Sequence, residues 1–307
     1  MKKILIILLV SFLSFNVCSE NINEVKILVK IDNQIITNID IENEINYLKL
    51  INEQIKNIKY DDIKKFAMTS LQREIIKKKE ILKFYDLDQK SSFLKERMES
   101  LYKRLGLNSQ KEFETYLYEY NLKFEDVRKK LEIEIVWNEM IYSKYQNQLN
   151  IDIDAIKKKI DEKTATGNSY QLSEILFQIQ NKEQNILKYK EIIEIVNKND
   201  FNTAANIFSI SDTSKNGGDI GWISEIQLSN NINEKLKDVE IGGISEMITV
   251  PGGILLLKVN DKKKENVIIN KENELKKIIA YEKNKQFSQF SLIFYNRLKF
   301  NSKIDEK

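Results

Sequence analysis

The chain has 307 residues, of which 31% are charged and 42% are hydrophobic, and it contains one cysteine and no histidine. Basic and acidic side chains nearly balance at a net charge of +3, so no single-sign field indicates a nucleic-acid partner. A lone cysteine without histidine excludes a disulfide framework and the usual zinc ligand sets.

The first nineteen residues have the pattern of a secretory signal peptide. Lys2 and Lys3 precede an apolar run over residues 4–15, which is too short for a stable membrane span. Cleavage is predicted after Ser19 and would remove Cys18, the only cysteine. We therefore expect a periplasmic mature chain with no membrane span. A retained anchor and a lipoprotein signal are the alternatives.

Residues 20–165 are predicted to form a mostly helical domain that opens with a small hairpin. The hairpin strands are residues 25–31 and 34–37, around a polar turn. Apolar periodicity and capping residues then predict a series of helices: one beginning at an N-cap at Asn38 or Asp40, others over about 62–84, 91–105 and 123–149, and short ones after the capping box Ser109–Glu112 and after Asp152.

The composition changes near residues 164–169, where small polar residues predict a linker. Beyond it the pattern alternates between strands and helices: strand 172–179, helices 183–198 and 200–208, a glycine-rich turn, a helix near 231–239, and strands 245–250 and 253–259. Such an order predicts a compact unit with one small antiparallel sheet wrapped by helices, so the chain as a whole is expected to be α+β.

The glycines are concentrated in this second unit. Seven of the nine fall between Gly217 and Gly253, mostly in the clusters 217–221, 242–243 and 252–253. Glycine adopts backbone conformations that other residues avoid, and this freedom costs entropy on folding. The clusters therefore predict tight turns at fixed places.

The motifs of the second unit resemble those of the parvulin family of peptidyl-prolyl isomerases. The resemblance is carried by four stretches in order and at the family's spacing: Leu172–Leu176 as the first strand, Phe208-Ser209 with Gly217–Trp222 as the central signature, Gly242–Glu246 as a turn, and Gly253–Val259 as the closing strand.

The remainder resembles the SurA-type periplasmic chaperones. Ile31–Thr37 followed by Asp40 is similar to their opening hairpin and first helix, and Lys285–Leu298 is similar to their returning terminal helix. The resemblance implies a helical chaperone domain over residues 20–165, a parvulin domain inserted at 168–262, and a C-terminal helix within 264–307 that packs back on the first domain.

The parvulin resemblance also implies a proline-binding pocket that uses no metal and no cofactor. The apolar positions that contact proline correspond to Leu228 and Ile232, with Phe208 as a further substrate-binding candidate. The family's Cys or Asp position corresponds to Ser211, so Ser211 and the adjacent Asp212 are the catalytic candidates. Gly217, Gly218, Asp219 and Gly221 correspond to the fold-defining turn.

These residues also fit structural roles. Core packing accounts for Leu228 and Ile232, and turn formation accounts for Ser211 and Asp212. Both family histidines are replaced, by Glu174 on the first strand and by Leu255 on the last. A carboxylate at position 174 is expected to face solvent or to be protonated, because burial without a partner is costly.

Three functions follow from the resemblance. The favoured one, because both histidines are missing, is an exported folding factor that holds unfolded outer-membrane or secreted proteins, with isomerase activity weak or lost. The alternatives are a fully active prolyl isomerase and a non-catalytic adaptor for short extended peptides. The expected partners are unfolded or nascent chains and X–Pro segments, bound in a groove between the two domains. The tyrosines and phenylalanines of residues 113–124 are candidates for that groove, although they also fit a core.

Overall fold

The computed structural model describes residues 24–87, 92–162, 166–266 and 271–307. The predicted signal peptide and Cys18 lie outside these residues. The architecture is α+β, which confirms the predicted fold class. In the described ranges, no helix is long and apolar enough to cross a bilayer.

We call residues 24–162 and 271–307 the helical domain and residues 166–266 the sheet domain. The helices of the helical domain are α1 (Asn38–Ile51), α2 (Tyr60–Ile81), α3 (Ser92–Arg104), α4 (Gln110–Glu119), α5 (Phe124–Tyr145), α6 (Ile153–Glu162) and α10 (Lys271–Phe300). The helices of the sheet domain are α7 (Lys182–Lys198), α8 (Phe201–Phe208) and α9 (Asn230–Leu236).

Helix α10 completes the core of the helical domain from the far end of the sequence. Its Phe294 stacks on Trp137 of α5 with ring centroids 5.6 Å apart. The buried Trp137 also donates a hydrogen bond from Nε1 to Ser291 Oγ at 2.8 Å, which satisfies its only polar group. Because α1, α2 and α5 contribute to the same apolar cluster, α10 and the N-terminal helices form one folding unit.

A small sheet joins the two ends of the helical domain. The predicted hairpin forms as β1 (Ile27–Ile31) and β2 (Gln34–Thr37), and β7 (Ile304–Glu306) pairs antiparallel with β1 on its other side. The sequence did not indicate β7. The N-cap of α1 is Thr37, one residue before the predicted Asn38, and it forms a capping box with Asp40. The helix therefore begins directly from the end of β2.

The sheet domain is built on a second antiparallel sheet with the strand order β4-β3-β6-β5. Its strands are β3 (Thr166–Phe177), β4 (Asp219–Ser224), β5 (Ile248–Val250) and β6 (Gly253–Asn266). Side chains alternate across the pleat. Ile175 and Leu256 pack against α7 and α8 on one face, whereas Leu172 and Leu257 belong to the cluster with Leu228 on the other.

Strands β3 and β6 are longer than the sequence predicted. They pair from Thr166↔Asn266 to Phe177↔Ile254, so residues 166–169 belong to a strand and not to the predicted linker. The pairing register shifts between Gln171 and Leu172, and Asn260 of β6 donates from Nδ2 to Ser173 Oγ at 2.8 Å there. The polar outer part of this ribbon connects the sheet domain to α6 and α10.

Candidate functional site

A cavity of about 330 Å³ lies between the two domains. The sheet domain contributes mainly apolar walls, and α2 and α10 contribute the walls on the side of the helical domain. The residues that line it are Arg73, Lys77, Leu172, Glu174, Leu176, Ile210, Ser211, Asp212, Thr213, Ile220, Ile223, Leu228, Ile232, Val250, Pro251, Leu255, Leu257, Tyr281, Asn284, Lys285, Ser288, Gln289, Ser291, Leu292 and Tyr295. Its volume is at the lower end of the range for small-ligand pockets.

The apolar wall contains both predicted proline-contacting residues. Leu228 precedes α9, Ile232 lies in its first turn, and both line the cavity. Leu255 and Leu257 join them from alternate positions of β6, which face the same side of the sheet. The wall is therefore continuous from the sheet to α9.

The polar end of the cavity is a cluster of one carboxyl and two hydroxyl groups. Ser211 Oγ donates to Glu174 Oε1 at 2.6 Å, and Thr213 Oγ1 donates to the same oxygen at 2.9 Å. Burial raises the pKa of the Glu174 carboxyl, and the negative charge of Asp212 raises it further. The hydrogen bonds from Ser211 and Thr213 act in the opposite direction and reduce the rise. Glu174 is therefore held by partners inside the cavity and does not face bulk solvent.

Thr213 is a member of this cluster that sequence reasoning missed. It lies two residues beyond Ser211 in the 3₁₀ helix Asp212–Asn216, so both hydroxyls meet the same oxygen. The sequence feature that could have indicated Thr213 is its position as a second hydroxyl residue, two residues after Ser211.

The glycine turn brings this cluster against the sheet. Gly217 ends the 3₁₀ helix in the left-handed conformation with φ 66°, and Gly218 follows with φ 79°. A Cβ at Gly218 would lie 2.2 Å from the carbonyl oxygen of Glu174. The turn can therefore approach β3 so closely only with glycine there. Asp219 continues the turn by accepting the Gly221 N–H at 2.9 Å.

Phe208 lies away from the cavity. It packs at the end of α8 with Tyr189 and Ile192, in the cluster on the opposite face of the sheet. Lys188 Nζ is 5.1 Å from its ring. The structure thus separates this substrate-binding candidate from Leu228 and Ile232, because adjacent elements cover different faces of one sheet.

The aromatic residues of 113–124 also lie elsewhere. Phe113 is fully buried and packs with Phe124 and the pair Tyr116–Tyr120 in a core formed by α3, α4 and α5. Tyr118 alone among them is largely exposed. These residues do not line the interdomain cavity. Most of them instead contribute to this core.

Asp212 links the signature turn to the helical domain. Its Oδ1 lies 3.7 Å from Arg73 Nη1 and 3.8 Å from Lys77 Nζ, both on α2. Arg73 also donates to the carbonyl oxygen of Ile210 at 3.1 Å, and Lys77 donates to Glu134 Oε2 at 2.6 Å. Asp212 therefore acts in domain contact as well as lining the cavity. Arg73 and Lys77 lie more than a hundred residues before Asp212 in the sequence, and no local pattern indicated this contact.

Among the described residues, no group of three or more His, Cys, Asp or Glu side chains is arranged to hold a metal ion. The cavity is mainly apolar, with a hydrogen-bonded carboxyl group at one end and polar side chains of α10, including Lys285, on another wall.

The described residues form a helical domain that carries a small antiparallel sheet domain, with a glycine turn and an apolar cavity on one sheet face. Residues 155–263 match the family described as the PPIC-type PPIASE domain. This match confirms the predicted parvulin resemblance.

Two curated proteins are similar to this chain over part of their length. The chain is 21% identical over 196 residues to the Chaperone SurA of Pseudomonas aeruginosa, covering 61% of this chain and 47% of that protein. It is 25% identical over 152 residues to the Chaperone SurA of Xanthomonas euvesicatoria, covering 47% and 33% respectively. These matches span less than half of the relatives' own length. Over these stretches the chain is similar to SurA chaperones, and its residues 155–263 match a PPIC-type domain.

Solved structures give similar chains. One belongs to the structurally related SurA-like chaperones of Campylobacter jejuni, at 18% identity and a TM-score of 0.36, covering 92% of this chain and 98% of that one. Another is the peptidylprolyl isomerase PrsA of Bacillus cereus, at 20% identity and a TM-score of 0.28, covering 90% and 92%.

Proposed function

We propose that this protein is an exported folding factor that binds unfolded polypeptides, with an apolar residue or proline of the client in the interdomain cavity. The observation that carries the proposal is the continuous apolar wall of Leu228, Ile232, Leu255 and Leu257 beside a hydrogen-bonded polar end. Burial of apolar side chains is the main favourable term in such binding. Because an unfolded chain exposes many such side chains, weak binding at several places is enough to keep it from aggregating.

Holding is favoured over isomerisation because of what occupies the polar end. Catalysis of prolyl isomerisation must lower a barrier of about 18–20 kcal/mol by binding the twisted amide better than the planar one. In this cavity a carboxyl group committed to Ser211 and Thr213 stands at one histidine position, and the apolar Leu255 stands at the other. Neither side chain reproduces a neutral histidine pair.

The second candidate is an active prolyl isomerase. It is favoured by the same apolar cavity, because an apolar slot stabilises an amide that has lost its resonance and polarity. It is also favoured by the Ser211 hydroxyl, which lies at the family's Cys or Asp position within the cavity wall.

A suppression assay tests the holding function. The mature chain is mixed with an unfolded outer-membrane β-barrel protein, and aggregation is followed by light scattering. We expect suppression by the wild type and much weaker suppression by Ile232→Lys, which places a charge in the apolar wall. Leu187→Lys, at a position on α7 that is 64% exposed, is the matched control and should act as the wild type does. Aggregation unchanged by an excess of wild type would reject the proposal.

An exchange experiment separates holding from isomerisation. Uncatalysed X–Pro exchange takes tens of seconds or longer, so NMR exchange spectroscopy on an Ala-Pro peptide detects modest acceleration. We expect little acceleration by the wild type. Rapid exchange that Ile232→Lys abolishes would establish the isomerase instead.

The proposed site of action is the periplasm. The predicted signal peptide over residues 1–19 and the SurA relatives support it. Fractionation of cells that produce the full chain tests it, and recovery of the uncleaved chain in the cytoplasm would contradict it.

A further inference from the structure

Helix α10 presents one face to the interdomain cavity. Tyr281, Asn284, Ser288 and Leu292 line the cavity and follow one another at helical spacing of three or four residues. The neighbouring face carries Phe287 and Phe290, which pack in the core of the helical domain. The cavity face is therefore held in place by the packing of the face beside it.

Tyr281 and Leu292 of this face both contact the sheet domain. Tyr281 packs against the apolar cluster that contains Leu228 and Leu257. Farther along, Leu292 Cδ2 lies 2.9 Å from where a Cβ would stand on Gly252, in the turn between β5 and β6. At a rise of about 1.5 Å per residue, the contacts are roughly 16 Å apart along the helix axis. An extended segment of about five residues has the same length.

Between the two contacts, this face of α10 carries two polar side chains that have no bonding partner among the described residues. Asn284 and Ser288 are exposed and make no hydrogen bond in the part of the chain that the structure describes. Gln286, on another face of the same helix, is bonded to both the N–H and the carbonyl of Asn150. Lys285 is paired with Glu282. The free side chains of Asn284 and Ser288 thus face the cavity.

We propose that α10 is the second wall of a composite peptide site, in which Asn284 and Ser288 hydrogen-bond the main chain of an extended client segment. The segment's apolar residue or proline fills the cavity beside Leu228 and Leu255. The inference rests on the proposed function and names its substrate class: extended segments recognised by one apolar side chain and by the backbone around it.

The physical reason lies in the backbone of the client. Each residue of a bound segment carries an N–H and a carbonyl, except that proline lacks the N–H, and leaving either buried without a partner is costly. An entirely apolar cavity would impose that cost on every client. Neutral amide and hydroxyl groups both donate and accept, so they satisfy a main chain without selecting the neighbouring side chains. This suits a protein that holds many different sequences.

The test uses the full mature chain with a short fluorescent peptide that has a central Ala-Pro, and binding is measured by anisotropy. Removing two hydrogen bonds by Asn284→Ala with Ser288→Ala should weaken binding by about tenfold. Gln286→Ala is the control on the same helix and should leave the affinity unchanged. Circular dichroism checks that each variant is folded.

A second peptide identifies the main chain as the recognised group. Replacing amides that flank the Ala-Pro unit by esters removes N–H donors and keeps the side chains. The ester peptide should bind the wild type more weakly than the amide peptide does, whereas the double variant should bind both nearly equally.

The outcomes separate this inference from the proposed function. Peptide binding that is lost in Ile232→Lys but unchanged in the double α10 variant keeps the proposed function and overturns the composite site. Tighter binding by the double variant overturns it as well, because α10 would then obstruct the cavity. No binding by the wild type rejects both.

Discussion

Glu174 supplies a carboxyl group to the interdomain cavity. Its carboxyl lies at the polar end of the cavity with two hydroxyl partners, and burial raises its pKa above the ordinary value of 4.5. A folded-state pKa above the unfolded one means that the folded chain binds the proton more tightly. The stability that this provides is present below the unfolded pKa and is lost as the pH rises through the folded one.

Replacing this carboxyl by an amide should remove the pH dependence. As the pH rises from about 4.5 to 7, the free energy of unfolding of Glu174→Gln should increase relative to that of the wild type. Urea unfolding at several pH values measures it. Glu240→Gln, at an exposed position of the same domain, should reproduce the wild-type curve. A difference that stays constant with pH would contradict the raised pKa.

The glycine turn offers a second test at the scale of one residue. Gly218 and Gly221 both have positive φ, at 79° and 73°. A Cβ on Gly218 would meet the Glu174 carbonyl oxygen at 2.2 Å, whereas a Cβ on Gly221 would meet nothing within 4 Å. Gly221→Ala should therefore cost only the conformational strain, about 1 kcal/mol. Gly218→Ala should cost about 3 kcal/mol or more, because the turn must also move away from β3.

Thermal unfolding of the two variants measures this difference under the same conditions. Equal losses would mean that the turn relaxes freely and does not hold Ser211 and Thr213 against Glu174.

At this scale the sequence located much of the cavity wall but not its contacts. Leu228, Ile232, Ser211 and Glu174 were found because the glycine motifs fixed the alignment with the parvulin pattern. The bonds from Ser211 and Thr213 to Glu174 depend on how the turn folds onto β3, which no single-residue match indicates. Phe208 packs on the opposite face of the sheet, and a motif match does not indicate which face a residue covers.

Strand β7 extends the small sheet of the helical domain. No periodic pattern in the sequence predicted it. Its three residues are too few for a recognisable alternation, and they form a strand only because β1 offers a free edge. Ile304 packs against the core of the helical domain, and Asp305 is exposed.

Shortening Ile304 should therefore weaken the helical domain. Ile304→Ala should lower the free energy of unfolding by about 1–2 kcal/mol, because the side chain is only partly buried. Asp305→Ala should stay within about 0.5 kcal/mol of the wild type. Urea unfolding followed by circular dichroism at a helical wavelength gives both values. If Ile304→Ala and Asp305→Ala changed the free energy of unfolding equally, the Ile304 side chain would not contribute to the core.

The helices were easier to predict than the ends of β3 and β6. Long amphipathic segments carry their own signal, and α2, α5 and α7 begin and end within a few residues of the expected positions. The stretch 166–169 looks like a linker because its residues are small and polar. It becomes a strand because it pairs with residues 263–266 of β6, nearly a hundred positions later. Composition within a window contains no information about that partner.

The contact between the domains combines polar links with a few apolar ones. Asp212 meets Arg73 and Lys77, and Lys215 Nζ lies 3.4 Å from Glu134 Oε1. Although burial acts to raise the pKa of Glu134, its attraction to Lys77 and Lys215 holds that pKa below its usual range. Contacts of this kind between domains resemble transient protein–protein interfaces, so relative motion is expected.

Salt should therefore loosen the two domains before it unfolds either one. Spin labels are attached to the cysteines of Tyr118→Cys and Leu187→Cys in a Cys18→Ser background. Tyr118 and Leu187 are 82% and 64% exposed, and the distance between the labels reports the distance between the domains. Raising the salt from about 0.05 M to about 0.5 M should broaden the distance distribution, because screening weakens these charge pairs.

Asp212→Asn with Lys215→Gln should broaden the distance distribution already at low salt. Lys188→Gln with Glu191→Gln, which removes an exposed pair within α7, is the control and should not broaden it. A distribution that stays narrow under all these conditions would mean that these charge pairs do not hold the domains together. Other contacts, such as those of Tyr281 and Leu292 and the bond from Arg73 to the Ile210 carbonyl, would then be sufficient.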